Sequence, residues 1–474
     1  MGVESGTLLS RPAGERDSLP SLGVSAQRQI VLVGFLQAQN CTTIPAAWRH
    51  PDARHDVTGF DYYRHIGQVL ESGCFDLGFF DDRLAMPDMY GGDHRHTVEA
   101  GIRCVKLDPV TVLTAMGMAT SRLGLGATYS TTYYEPFHVA RVFATLDHLT
   151  AGRAAWNVVT SVNDNEARNM GLAQAPAHDV RYDRADEFME VVHGHWDAWE
   201  ADAIAADRAA GLYAHGDRVR RLDHQGQWFS SRGPFTVPRT PQGHPVVIQA
   251  GQSGRGTTFA ARWGELLFVS QVRLDSAVEH YAAVKSQIET LGRNPDQVKI
   301  TNLTFPVVGR TMAEAEDRRA AYDELPTLVD DLSLLSEGLN FDFASRDLDE
   351  PLSDDDLDAM TGIQGIRNQV LQITGRANPT VRDFVQVSGR GRLAHPTVGG
   401  PVEMADYFEE WFTERAVDGF VIAGTHMPGA FEDFVELVVP ELQRRGLFRT
   451  EYSGNTLRDH LGLRVPEPGS WRLA

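Results

Sequence analysis

The chain has 474 residues, and its 44 Lys+Arg against 64 Asp+Glu leave a formal net charge of −20 with histidine neutral. That balance argues against nucleic-acid binding, which needs clustered positive charge to neutralise phosphates. With 42% apolar and 23% charged residues, the chain can bury a large core, so disorder is excluded as its main theme. The length suits three domains of roughly 150 residues, or one α/β barrel of about 250 residues with long insertions.

Residues 1–27 read as a flexible N-terminal arm, rich in charges and prolines and without an apolar core of signal-peptide length. No later run approaches the roughly 20 apolar residues of a membrane span. The three cysteines, Cys41, Cys74 and Cys104, are scattered and form no CxxC pair, so a reducing, cytoplasmic setting is expected.

From Arg28 onward, short β-rich runs alternate with longer stretches of helical period, the pattern of βα units around a parallel sheet. The strand candidates are Ile30 to Leu36, Phe75 to Phe80, Leu123 to Thr128, Ala154 to Thr160, Val246 to Ala250, Leu266 to Val269, Ile300 to Val308 and Gly419 to Ile422. Between them lie amphipathic segments such as Val139, Val142, Phe143, Leu146 and Leu149, and Phe188, Val191, Val192, Trp196 and Trp199. Eight such units favour a closed (β/α)8 TIM barrel over an open sheet. Two stretches break the alternation and read as insertions. One, about 199–243, begins helical and turns Gly/Pro/Arg-rich. The other, about 320–400, holds the acidic run Asp347 to Asp358 and is expected to fold over the mouth as helices and a mobile flap. The run lacks EF-hand spacing and its glycine, so it reads as solvated surface.

A barrel carries its site at the C-terminal strand ends. There stand Asp81 and Asp82 after strand two, Thr128 in strand three, Asn157, Thr160 and Ser161 at strand four, and Gly251 to Gly254 after strand five. QAGQSGRG, Gln249 to Gly256, places small residues between a strand and a helix, where backbone N–H groups and Ser253 can cradle a phosphate; a purely structural turn has the same composition. It has neither the GK[ST] of a P-loop nor dinucleotide-fingerprint spacing. His94 and His96 have no third ligand nearby in sequence, His193 and His195 diverge on a helix, and no GxSxG elbow occurs. No metal is expected. What remains is a neutral pocket with aromatics near strand ends, Phe35, Phe79, Phe80, Tyr129, Tyr133 and Tyr134, which suits either plain core or a bound cofactor that carries the hard chemistry.

The strings AAWRHPDA (46–53), FDLGFFDD (75–82), TYYEPFHVARVFATLDHLTAGRAAWNVVTS (132–161), NEARNMG (165–171), RYDRADEF (181–188), QAGQSGRG and FRTEYSGNTLRDHLGL (448–463) together resemble the nitrilotriacetate and dibenzothiophene-sulfone monooxygenases. These form a flavin-dependent branch of the bacterial luciferase-like superfamily. The resemblance runs in order from about Arg28 to Pro466 and extends to members acting on hexachlorobenzene and pentachloronitrobenzene.

It implies a luciferase-like barrel over 28–447 with a C-terminal tail at 448–474. It also implies FMN used as FMNH2, O2 as co-substrate, and a separate NAD(P)H:flavin reductase as partner. Oxygen would add to the reduced flavin to give a peroxide, at C4a or N5, that passes one oxygen atom to the substrate. By position, Phe35 and Asp82 would line the isoalloxazine pocket, Thr128 and Asn157 its polar edge, and Ser161 the flavin or peroxide. Tyr182, Gly251 and Ser253 would hold the ribityl phosphate. The bland readings stay beside these: Asp82 as a loop cap, Tyr182 as the start of its helix. Phe35, Asp82 and Ser161 are the expected catalytic set.

The expected substrate is a hydrophobic aromatic xenobiotic, undergoing oxidative dehalogenation or C–S cleavage. An aminopolycarboxylate would want free cations, for which Arg49, Arg83, Arg103 and Arg392 are candidates. A deazaflavin-dependent oxidoreductase and a flavin-storage protein are the rivals from other classes. Relatives suggest a homodimer or homotetramer, and the tail from Phe448 reads as an arm packing on a neighbour.

Overall fold

The computed structural model describes residues 28–37, 44–251, 254–389 and 395–472. The arm over 1–27, Ser253 and Arg392 lie outside the described residues. Eight strands form a closed barrel: β1 (Val31–Leu36), β2 (Leu77–Phe80), β3 (Gly124–Ser130), β4 (Ala154–Val159), β5 (Val246–Gln249), β6 (Leu266–Val269), β7 (Lys299–Thr304) and β8 (Gly419–Ala423). Each pairs in parallel with its neighbour in sequence, and β8 closes on β1 through Val31 opposite Gly419. Parallel strands buried on both faces read as short apolar runs, which is why all eight candidates are barrel strands.

Alternation along the strands divides two cores. Val31, Val33, Phe35, Leu77, Phe79, Ala155, Ile248, Phe268 and Val421 fill the barrel. Leu32, Leu36, Phe80, Trp156 and Phe420 face outward onto the surrounding helices.

Four expectations need correction. The run Ile300 to Val308 is not one strand: β7 ends at Thr304, and Pro306–Val308 leaves the barrel to pair with Thr397–Gly399, because Pro306 brings no N–H to a ladder. The stretch after Trp199 is not helical. The helix His178–Trp196 stops first, and two small hairpins follow, Ile204–Asp207 with Leu212–Ala214 and His224–Gln225 with Ser230–Ser231. The 320–400 region is no loose flap over its described residues. Its helices Leu328–Leu339, Asp354–Ala359, Gln364–Thr374 and Val381–Ser388 share a core of Leu335, Leu339, Phe343, Met360, Val370 and Phe384, while Ser353 and Asp356 of the acidic run close a capping box.

The tail is the fourth. From Phe448 it folds onto its own barrel, where Leu457, Leu461 and Leu463 join the interior cluster at the N-terminal strand ends. Gly124 leaves the room for it: a Cβ there would lie 2.7 Å from Leu457 Cδ1 and 2.6 Å from the Asp76 carbonyl.

Candidate active site at the barrel mouth

Strand register decides which residues meet at the C-terminal end. β1 and β2 set Phe35 beside Phe79. Their rings stack with centroids 5.5 Å apart, and Phe79 meets Phe268 of β6 edge-on at 4.9 Å. All three are buried and make a dry aromatic floor.

β3 and β4 set Thr128 beside Asn157. The Thr128 hydroxyl donates its single hydrogen to the Phe80 carbonyl at 2.9 Å, so it can only accept from Asn157 Nδ2, also at 2.9 Å. The amide orientation follows: Asn157 Oδ1 faces away from Thr128 and is buried without a partner. A buried acceptor left so costs about 1–3 kcal/mol until a donor reaches it.

Ser161, just past β4, holds φ at +45°, a left-handed conformation that costs a residue with a side chain about 1–2 kcal/mol. Its hydroxyl donates to Ser130 Oγ at 3.0 Å, and Ser130 Oγ also accepts from the Thr132 N–H at 3.1 Å. Strain kept at a strand end beside a mouth points to use.

The two aspartates after β2 divide. Asp81 accepts from Gln37 Nε2 and Lys106 Nζ, both at 2.6 Å, and pairs with Arg103 at 3.3 Å; those cations hold its carboxyl below the usual range in spite of burial. Among the described residues Asp82 has no cation within ion-pair distance. Its Oδ1 accepts from the Arg83 N–H at 2.8 Å, and burial pushes its carboxyl up to about 7, with Lys106 pulling it back and Asp81 adding to the rise.

The helix Leu328–Leu339 completes this corner. Glu337, on Leu328–Leu339, pairs with Arg83 at 2.9 Å and Arg103 at 3.4 Å, and its carbonyl accepts from Asn163 Nδ2 at 2.6 Å. Gln37, Lys106, Arg103 and Glu337 went unnoticed as a set in the sequence, since 25 and 254 positions separate Lys106 from Asp81 and Glu337 from Arg83.

On the opposite side, Gly251 donates its N–H to Gln249 Oε1 at 2.6 Å. A Cβ there would lie 2.8 Å from Gln249 Nε2 and 3.0 Å from the Tyr182 hydroxyl, so only glycine leaves the gap that Tyr182 borders. Arg255 beyond it is held by Asp183 at 3.0 Å and Asp186 at 2.5 Å. The structure thus sets Thr128 and Asn157 side by side on the adjacent strands β3 and β4 with Ser161 just past β4, Phe35 on β1 beside Phe79 of β2, Asp82 after β2, and Tyr182 with Gly251 at β5.

Among the described residues, His50, Asp52 and His426 bring ligand atoms within 4.8 Å of one another. Yet the two imidazoles stack 3.9 Å apart at 21°, so their in-plane lone pairs run side by side instead of converging on an ion. The Tyr322 hydroxyl also engages His426 Nδ1 at 2.7 Å, and burial holds this histidine down to about 3. Among the described residues no helix is long and apolar enough to cross a membrane.

The family description "Luciferase-like monooxygenase" matches residues 46–418. The dibenzothiophene-sulfone monooxygenase of Rhodococcus erythropolis is 45% identical over 94% of this chain and 99% of its own length. Nitrilotriacetate monooxygenase component A of Aminobacter aminovorans is 41% identical over 89% and 94%. The crystal structure of riboflavin lyase with modified FMN and riboflavin superposes with a TM-score of 0.83 at 32% identity, covering 92% of this chain and 97% of that one. The closed barrel, its polar mouth and these likenesses place the chain in the luciferase-like monooxygenase family.

Proposed function

We propose that the protein is a reduced-FMN-dependent monooxygenase of a two-component system, fed with FMNH2 by a separate NAD(P)H:flavin reductase in the cytoplasm, and acting as a homodimer or homotetramer on an uncharged aromatic xenobiotic. The observation that carries this reading is the orphaned Asn157 Oδ1, its amide fixed by Thr128, in a barrel that also packs the rings of Phe35, Phe79 and Phe268 together. An acceptor with no donor suits a ring system bearing N–H groups, and FMNH2 has two more such groups than the oxidised form.

The rest of the mouth fits the same ligand. Phe35 and Phe79 offer a flat apolar surface, and the gap at Gly251 beside the Tyr182 hydroxyl offers neutral donors for a ribityl phosphate, with Ser253 next in sequence. When bound, reduced FMN supplies the two electrons that activate O2, so that one oxygen atom enters the substrate and the other leaves as water. The chain's own part is to exclude water from the floor, to orient the ring edge through Asn157 and Thr128, and to present the Ser161 hydroxyl where negative charge develops. Neutral donors do this without premature proton delivery.

Pairing of the cations supports an uncharged substrate over an aminopolycarboxylate. Arg49 is bound to Asp330 at 2.7 Å, Arg83 to Glu337 at 2.9 Å and Arg103 to Asp81 at 3.3 Å, so none is free to meet several carboxylates. An arene undergoing C–S cleavage or oxidative dehalogenation is the class proposed, with sulfones and polychlorinated benzenes such as hexachlorobenzene and pentachloronitrobenzene as the compounds to try.

The test is an anaerobic titration with FMNH2 and, separately, FMN, followed by mixing the reduced complex with oxygenated buffer in a stopped-flow spectrometer. Tighter binding of the reduced form and a transient near-ultraviolet absorbance after oxygen are expected. A complex indifferent to oxygen would overturn the monooxygenase reading in favour of a deazaflavin enzyme or a storage protein.

A further inference from the structure

Beside the mouth lies a cleft of about 380 Å³, lined by Asp82 to Met86, Arg103, Cys104, Lys106 to Asp108, Tyr134 and Asn169. That is within the range of small-molecule sites. Its charged walls are spent on one another. Lys106 and Arg103 are bound to Asp81, and Arg83 and Arg103 to Glu337. Asp108 accepts the Tyr129 hydroxyl at 2.7 Å and caps the helix Pro109–Ala119 through the Thr111 N–H at 2.9 Å.

Neither Asp108 nor Asp82 makes an ion pair among the described residues, but Asp108 is taken up by Tyr129 and Thr111, whereas the one hydrogen bond of the Asp82 carboxyl is from the Arg83 backbone. We propose that this cleft seats the aromatic substrate and that the Asp82 carboxyl donates a hydrogen bond to an oxygen acceptor on it, a sulfone or nitro oxygen. The proposal rests on the monooxygenase reading and narrows it to acceptor-bearing arenes.

The physical argument is one of charge. The groups facing Asp82 are Asp81, Lys106 and Asp108, with Arg83 through its backbone and the Tyr129 and Tyr134 hydroxyls. Lys106 belongs to Asp81, and the remaining neighbours are acidic or neutral, so the Asp82 carboxyl keeps its proton up to about pH 7. A protonated carboxyl is a donor, while a carboxylate only accepts. Below that pH the cleft therefore offers an O–H to an oxygen; above it, a carboxylate repels the same oxygen.

The experiment compares dibenzothiophene sulfone with dibenzothiophene, which has the same rings and no oxygens. Binding to the full chain is followed by tryptophan fluorescence in anaerobic buffer, with and without FMNH2, from pH 5.5 to 8.5. At pH 6 the sulfone is expected to bind about tenfold tighter, the value of one hydrogen bond to a buried group, with the preference fading as the pH passes about 7. Asp82→Asn keeps an N–H donor, so it should keep the preference and remove its pH dependence. Asp82→Ala should lose the preference at every pH. Equal binding of both ligands at pH 6, no binding of either, or an unchanged pH profile in Asp82→Ala would overturn the proposal. Binding is read without turnover, so the sulfone preference can stand even if the oxygen reaction fails, and can fail while oxygen is still consumed.

Discussion

The two ends of the barrel treat buried polar groups in opposite ways. At the N-terminal end Arg458 and Asp418 are fully engaged. Arg458, 1% exposed, forks onto both oxygens of Glu265 at 2.7 and 3.0 Å and donates to the His244 carbonyl. Asp418 gathers Lys285, the Tyr281 hydroxyl and the Ile300 N–H within about 3 Å. At the C-terminal end Asn157 keeps a carbonyl unpaired, Ser161 sits in a strained conformation and burial pushes the Asp82 carboxyl up to about 7. In these residues the base uses its polar groups for stability, while the mouth, outside its paired Asp81–Glu337 cluster, keeps a few of them open to a ligand.

Breaking the fork should produce the largest effect. Arg458→Ala leaves Glu265 buried without its partner and is expected to cost about 3–5 kcal/mol of stability, measured by urea unfolding, with flavin affinity unchanged at temperatures where the variant is folded. At the mouth the pattern reverses. Asn157→Ala is expected to lower turnover in a reductase-coupled assay by about 10²–10³-fold while unfolding at nearly the same urea concentration as the parent. Loss of fold without loss of flavin chemistry at the mouth, or the converse at the base, would break the contrast.

Asp82 sharpens it through pH. Its folded value of about 7 lies above the ordinary 3.8, so the unfolded chain loses this proton first and stability falls as the pH rises from about 4 to 7, then levels. Asp82→Asn removes that penalty. Its gain over the parent should grow across that window to on the order of 4 kcal/mol, and a gain equal at pH 4 and pH 8 would contradict the burial argument. Gly251→Ala forces Gln249 and Tyr182 aside and should weaken FMN binding by about tenfold, read by equilibrium titration. The smallest effect is expected from Ser161→Gly, which relieves the left-handed strain and gains about 1 kcal/mol at the same time as it removes the hydroxyl and slows turnover.

Much of this architecture is legible in the chain. Runs such as VLVGFL and LLFV are apolar on both faces because helices cover one side and the barrel interior the other, and the strand ends carry their polar residues within one or two positions. The hairpins after Trp199 are not legible, because strands of two to four residues, mostly exposed, have no room for an alternating pattern. Nor is the division of labour between Asp81 and Asp82. It depends on Lys106, Arg103 and Gln37, which arrive from other loops, and no local spacing encodes a salt bridge across the fold. Glu337 sits in an ordinary helical stretch, and only tertiary packing reveals what it grips.

The stopper at the base of the barrel also sets an order of events during synthesis. Leu457, Leu461 and Leu463 fill the interior of a barrel whose first strand begins more than 400 residues earlier in the chain. At roughly 5–20 residues per second, the ribosome completes β1 long before the segment that seals it. Until that segment leaves the exit tunnel, the lower interior stays open and apolar, a surface for chaperones to cover.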